Sequence, residues 1–355
     1  MSVNDDYSYI NARIRGMKSR LLDRPFLEKL LSEENVHTVM ALLQETEYGK
    51  HIEEARTLET SEIGGIEEGI RQHLAQTYSG IFGMVGGVPR RLLSILLGRW
   101  DVYNIKTVLR GKFSGLSLEE VSKSFVPVCK LTEPLLKEMM KQPDIKGVID
   151  LLITWNSEYY PPLQAKLSDF SATNSLTNME VALDKFYFER ALSFLKRGLE
   201  DENFQIVVGF LKTEIDILNI LMIMKIVGHQ IPPAERGELF IRDGLEIKGE
   251  DFLSAASCRD IDEIFGRFAS TSYREVLNQA KQKSSGGSLS SVERLMEKYM
   301  IERGVAMFAR NPLSIAPVIG YLWLKLCETV NLRVICRAKV ARMPQPLIQE
   351  ELIFV

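Results

Sequence analysis

Three stretches of this chain carry the same signature at matched intervals, and that repetition limits the possible folds more than any other feature. Each has an acid followed three residues later by an asparagine: Asp101 and Asn104, Asp216 and Asn219, Glu328 and Asn331. The acids lie 115 and 112 residues apart (101 to 216, 216 to 328). An apolar residue stands four after each acid (Ile105, Ile220, Leu332) and another seven after (Val108, Ile223, Ile335). A base stands nine after: Arg110, Lys225 and Arg337. A helix stop then closes each stretch, at Gly111, Gly228 and Pro344. A second block precedes each signature: Ile66–Ile70, Leu183–Tyr187 and Met296–Met300. The gaps from block to acid are 34, 32 and 31 residues (67 to 101, 184 to 216, 297 to 328). Two blocks recurring in order at matched spacing imply three copies of one helical unit. The chain accordingly divides into residues 1–114, 115–230 and 231–355, with the N-terminal helix free to pack on a neighbouring repeat.

Helical geometry places these residues. At about 100° per residue, the acid, the asparagine and the apolar residue seven on lie within about 60° of one another. Leu97 and Leu324 extend that face by one turn, and Lys212 is the exception in the middle copy. The acid and asparagine therefore sit on or beside an apolar stripe, where a carboxylate needs a donor. An interhelical hydrogen bond or ion pair that fixes helix register is the plainer reading, ahead of a ligand or ion site or a contact between repeats. The base lies about 180° from its own acid, so it pairs with another helix or another repeat if it pairs at all. Three such units can close about a pseudo-threefold axis into a ring or funnel, or they can form an open array.

Most other segments also read as helices, with apolar residues at three- and four-residue spacing. The expected fold class is all-α. A short strand is conceivable near Glu238–Ile247. Loops are expected at Ser79–Pro89, at Gly228–Pro233, at Pro161-Pro162, at Ser171–Asn178 and at Ser284–Ser291, and Asp5-Asp6 reads as a cap of the first helix.

Composition removes several functions. Lys+Arg is 44 against Asp+Glu 47, a net charge of −3, which argues against a binder of nucleic-acid phosphates. Cys129, Cys258, Cys327 and Cys336 form no C-x-x-C and pair with no nearby histidine, so neither a zinc site nor a disulfide framework is expected. The most apolar stretch, Ile215–Val227, is interrupted by Asp216, Asn219 and Lys225 and is too short for a bilayer. Gly64 to Gly69 has the glycine spacing of a phosphate loop, but Ile70-Arg71 stand where a lysine and a hydroxyl are needed. Gly83–Gly87 lacks the dinucleotide pattern, and no two of His37, His51, His73 and His229 share a helix face. Asp5-Asp6 lacks the third acid of an isoprenoid-type metal motif. No catalytic, cofactor-binding or metal residue is assigned. An all-helical enzyme with scattered acids ranks below a helical scaffold.

Several segments resemble a known family. Asn311–Val355, reading NPLSIAPVIGYLWLKLCETVNLRVICRAKVARMPQPLIQEELIFV, is similar to the end of the C subunit of A-type and bacterial V-type ATP synthases, the counterpart of the d subunit of eukaryotic V-ATPases. Tyr7–Arg15, Asp101–Lys106 and Tyr187-Phe188-Glu189 resemble that family as well, while Leu326-Cys327 depart from it. The resemblance spans essentially the whole chain. It implies three similar helical domains in a pseudo-threefold funnel and a non-catalytic place in the rotor. The D and F subunits of the central stalk would enter the cavity, and the membrane ion-translocating ring would lie at the narrow end. Such a protein passes torque between ATP synthesis or hydrolysis and proton or sodium transport. It sits peripherally on the cytoplasmic face, with no cofactor, no nucleotide and no transmembrane segment of its own. A helical-repeat scaffold with other partners is the alternative.

Overall fold

The computed structural model describes residues 7–57, 61–283 and 289–354. It is all-α. Among the described residues there is no strand. Among the described residues six long helices carry the architecture: α1 (Glu62–Met84), α2 (Gly87–Phe113), α3 (Thr177–Leu195), α4 (Glu202–Gly228), α5 (Leu289–Ala306) and α6 (Ala316–Val340). Shorter helices, the longest of them the 12-residue Tyr7–Lys18, precede, separate and follow these. The chain divides into two compact units, one of residues Met1–Gln142 and Ile301–Val355, the other of Pro143–Met300.

In the first unit the two ends of the sequence build one core. The short helices Arg24–Ser32, Val36–Gln44 and Gly49–Arg56 bring Leu27, Leu30, Val39, Leu43 and Ile52 against Ile66 and Ile70 of α1 and Leu332 and Ile335 of α6. Each fully buried side chain of this size contributes about 1.5–3 kcal/mol of transfer free energy. Local chemistry sets the helix starts. Asp23 accepts from the Phe26 N–H with Pro25 in the first turn, and Asn35 accepts from the N–H groups of His37 and Thr38.

Glycines set how closely helices approach. A Cβ at Gly69 would lie 2.6 Å from the Cα of Ile52, and one at Gly65 would lie 2.8 Å from Cγ of Arg56. Gly65, together with Gly69 at the end of the apparent phosphate-loop spacing, therefore lets α1 press against Gly49–Arg56. In α6, Gly320 faces the backbone of Phe308, and Gly304 of α5 faces the Trp323 ring, with no space for a methyl group at either. The buried Tyr78 hydroxyl donates to the Leu322 carbonyl at 2.6 Å, fastening α1 to α6.

In the second unit α4 is the central element, buried along Ile215, Ile220, Ile223 and Ile226. Gly249–Ala255 and Ile261–Arg267 pack against it, and Asp201 caps its start through the Asn203 N–H. Asn174, in the left-handed region at φ 50°, ends the helix Leu167–Thr173.

Several sequence expectations need correction. Pro161 and Pro162 stand in the first turn of the helix Tyr160–Ala165 instead of a loop, and the polar run from Ser171 leaves helix only between Thr173 and Thr177. Residues 240–248 form no strand; they run as an irregular strap along α4, because Asn219 and Asp216 take the polar groups that a strand partner would have taken. The loop expected from Ser79 starts only after Met84, since Gly80 and Gly83 continue the helical pattern of α1. α2 passes its expected stop at Gly111 and ends at Phe113, and α6 ends at Val340, ahead of Pro344. Asp5-Asp6 and residues 284–288 of the expected Ser284–Ser291 loop lie outside the described residues.

Candidate functional site

The three acid–asparagine pairs occupy the middle of α2, α4 and α6. Asp101, Asn104, Asp216, Asn219, Glu328 and Asn331 are all buried, beside the equally buried Val108, Ile223 and Ile335. Each asparagine makes the same two bonds. Asn104 donates to the Val126 carbonyl at 2.8 Å and accepts from the Val126 N–H at 2.8 Å. Asn219 does so with Ile241 at 2.8 and 2.9 Å, and Asn331 with Ile353 at 2.8 and 2.9 Å. The partner stands 22 positions beyond the asparagine in every case. One carboxamide thus satisfies both polar groups of a single residue in an extended strap, where no neighbouring strand is present to do so.

The acids fasten the next part of the strap. Asp101 accepts from the N–H groups of Lys130 at 3.2 Å and Leu131 at 2.9 Å. Asp216 accepts from Glu246 at 2.7 Å and Ile247 at 3.2 Å, and also from the Tyr273 hydroxyl at 3.0 Å. The strap lies so close that a Cβ on Gly244 would collide with the Asp216 carboxylate. Burial pushes both carboxyls above their ordinary range, and the backbone N–H donors oppose that shift. Burial, followed by the neighbouring Asp101, pushes the Cys129 thiol up to about 12.

The third acid is held differently. Glu328 accepts from the Leu22 N–H, the Tyr48 hydroxyl and the Lys325 ammonium, each at 2.5 Å. Lys325 is almost wholly buried, and its ammonium lies 4.3 Å from the centre of the Tyr48 ring. Burial pulls its pKa down while Glu328 pulls it up, and the net shift is downward. Burial, then Glu328, holds the Tyr48 hydroxyl well above its usual range.

The chain matches a family model described as ATP synthase (C/AC39) subunit over residues 10–351. The chain belongs to the ATP synthase (C/AC39) subunit family. The C subunit of the A-type ATP synthase of Methanocaldococcus jannaschii is 28% identical over 349 residues, covering 98% of this chain and 86% of the relative. That of Methanococcoides burtonii is 28% identical over 359 residues, covering 99% and 95%. That of Halorubrum lacusprofundi is 26% identical over 352 residues, covering 97% of each.

The three bases of the repeat are more accessible than the acids in this family member. Arg110 is exposed. Lys225 lies 3.5 Å from Glu293 of α5, and Arg337 pairs with Glu67 of α1 through two nitrogens. Sequence reasoning missed the straps, Tyr48, Tyr273 and Lys325. The tyrosines had a readable mark: Thr46-Glu47-Tyr48, Ser157-Glu158-Tyr159 and Thr271-Ser272-Tyr273 share a hydroxyl residue two before a buried tyrosine. Among the described residues, no group of three or more His, Cys, Asp and Glu is placed to hold a metal ion, and no helix is long and apolar enough to cross a membrane.

Proposed function

We propose that this member of the ATP synthase (C/AC39) family is a non-catalytic coupling element of the rotor in an A/V-type complex. It joins the central shaft, made of the D and F subunits, to the membrane ring and carries torque between ATP chemistry and proton or sodium movement. In this reading its three repeats surround a pseudo-threefold axis, the shaft enters the cavity, and the narrow end sits on the ring at the cytoplasmic face. Membership of the family across nearly the whole chain supports this, and the repeated clamps supply a physical reason. A torque coupling needs stiffness, and each clamp removes the freedom of a non-helical strap by fixing it to a long helix at three or more points. All nine repeat residues, Asp101, Asn104, Arg110, Asp216, Asn219, Lys225, Glu328, Asn331 and Arg337, then serve rigidity and packing, with no reactive role.

The deciding experiment mixes the purified chain with the D–F shaft and with detergent-solubilised ring, followed by size-exclusion chromatography. Co-elution with both is expected, together with no ATP hydrolysis by the isolated chain. Failure to bind either partner would remove the coupling function.

A further inference from the structure

In the first two clamps one continuous stretch serves both side chains. It presents Val126 or Ile241 to the asparagine and, a few residues on, Leu131 or Ile247 to the acid. The very next residue stands at the N-terminus of a short helix: Thr132 before Glu133–Lys141, Lys248 before Gly249–Ala255. In the third clamp Ile353 serves the asparagine, but the amide for Glu328 comes from Leu22, and Asp23 follows it at the start of Arg24–Ser32.

The correspondence continues along the chain. The next helix start follows at the same interval in each copy, from 132 to 144, from 248 to 260 and from 23 to 35, and is capped by Asp144, Asp260 or Asn35. Then comes the hydroxyl–x–tyrosine turn. The tyrosine N–H bonds to the hydroxyl two residues back in all three copies, at 3.4 Å for Tyr159, 3.3 Å for Tyr273 and 3.2 Å for Tyr48. Tyr273 reaches Asp216 and Tyr48 reaches Glu328 through their hydroxyls.

We infer that residues 22–84 are the second half of the third repeat, carried at the opposite end of the sequence, so that the fold is a circular permutation of a plain three-repeat array with a non-covalent joint at Glu328. The joint has its own chemistry. Asp101 and Asp216 each take two strap amides, whereas Glu328 takes one amide and a lysine. Lys325 stands three residues before its acid, where the other copies have Gly98 and Thr213. The buried ammonium replaces the second amide. A cavity of about 420 Å³ opens at the same place, bordered by Leu22, Asp23, Glu328, Asn331, Ile353 and Phe354.

Two measurements test this. The first is a permuted chain starting at Gly86, running through residue 355, across a flexible linker of about 15 Gly/Ser residues into residue 1, and ending at Val85. It should keep the parent's helical content and amide-exchange pattern, because every repeat becomes contiguous. A soluble permuted chain with altered exchange in 87–142 and 202–283 would overturn the inference. The second uses the parent chain. Glu328→Ala should speed amide exchange by more than roughly tenfold in both 22–56 and 345–354, while 237–283 stays protected. Acceleration confined to α6, with 22–56 unchanged, would show that the N-terminal helices are independent of the third clamp.

Discussion

An asparagine carboxamide matches a peptide unit, one donor against one acceptor, and Asn104, Asn219 and Asn331 each use both ends on one strap residue. Asn219→Leu leaves the Ile241 N–H and C=O buried and unbonded, so a loss of about 2–4 kcal/mol is expected. Urea unfolding followed by circular dichroism would measure it. Lys325→Met should cost about 3–5 kcal/mol by leaving Glu328 buried without its cation, and Glu328→Gln in the same chain should recover part of that loss. His73 contributes to the acid side of the stability curve. Its ring packs 4.4 Å from that of Tyr48, and burial, with Lys325, His51 and Arg20 adding to it, holds its pKa down to about 3. Glu47 lies 4.0 Å from its Nε2. Because the folded pKa lies below the unfolded one, stability is full above about pH 6.5 and falls as the pH drops towards 3, by about 2 kcal/mol at pH 5. Denaturant titrations at pH 7 and pH 5 should show this loss, and His73→Phe should abolish it. Asp101 and Asp216 act with the opposite sign. Their carboxyls are raised, so their share of stability is greatest below the ordinary carboxylate range and falls as the pH rises through it.

At the level of the helices, close approach decides the packing. Gly69→Ala improves helix propensity by up to about 1 kcal/mol, yet its methyl would meet the Ile52 backbone. A net loss of about 1–3 kcal/mol is expected in thermal melts, since α1 must move away from Gly49–Arg56. This level also shows what the sequence could reveal. The acid and asparagine were legible because they sit at helical spacing within an apolar stripe, and that pattern can be read from α2, α4 and α6 directly. Their partners were not legible, because Val126, Ile241 and Ile353 bond through main-chain atoms and any residue but proline supplies those. Leu22 and Tyr48 were hidden for another reason: they lie 306 and 280 residues from Glu328, beyond any local periodicity. The strand considered near Glu238–Ile247 arose from the same blindness, since Phe240, Ile241 and Ile247 look like strand residues but lie along a helix.

For the whole molecule, the clamps should behave as independent units where they share no partner. Asn104→Leu and Asn219→Leu combined should lose the sum of the single losses within about 0.5 kcal/mol, whereas Asn331→Leu and Glu328→Ala should fall short of theirs. A double-mutant cycle in urea measures both. Additivity in the second pair would separate the asparagine from the acid as two unrelated contacts.

The clamps hold main chain, and this has a bearing on descent. A fastening that is indifferent to the side chains it fastens exerts little selection on the strap's spelling. Segments fastened in this way can diverge widely in sequence and still keep the same main-chain hydrogen bonds to an acid and an asparagine.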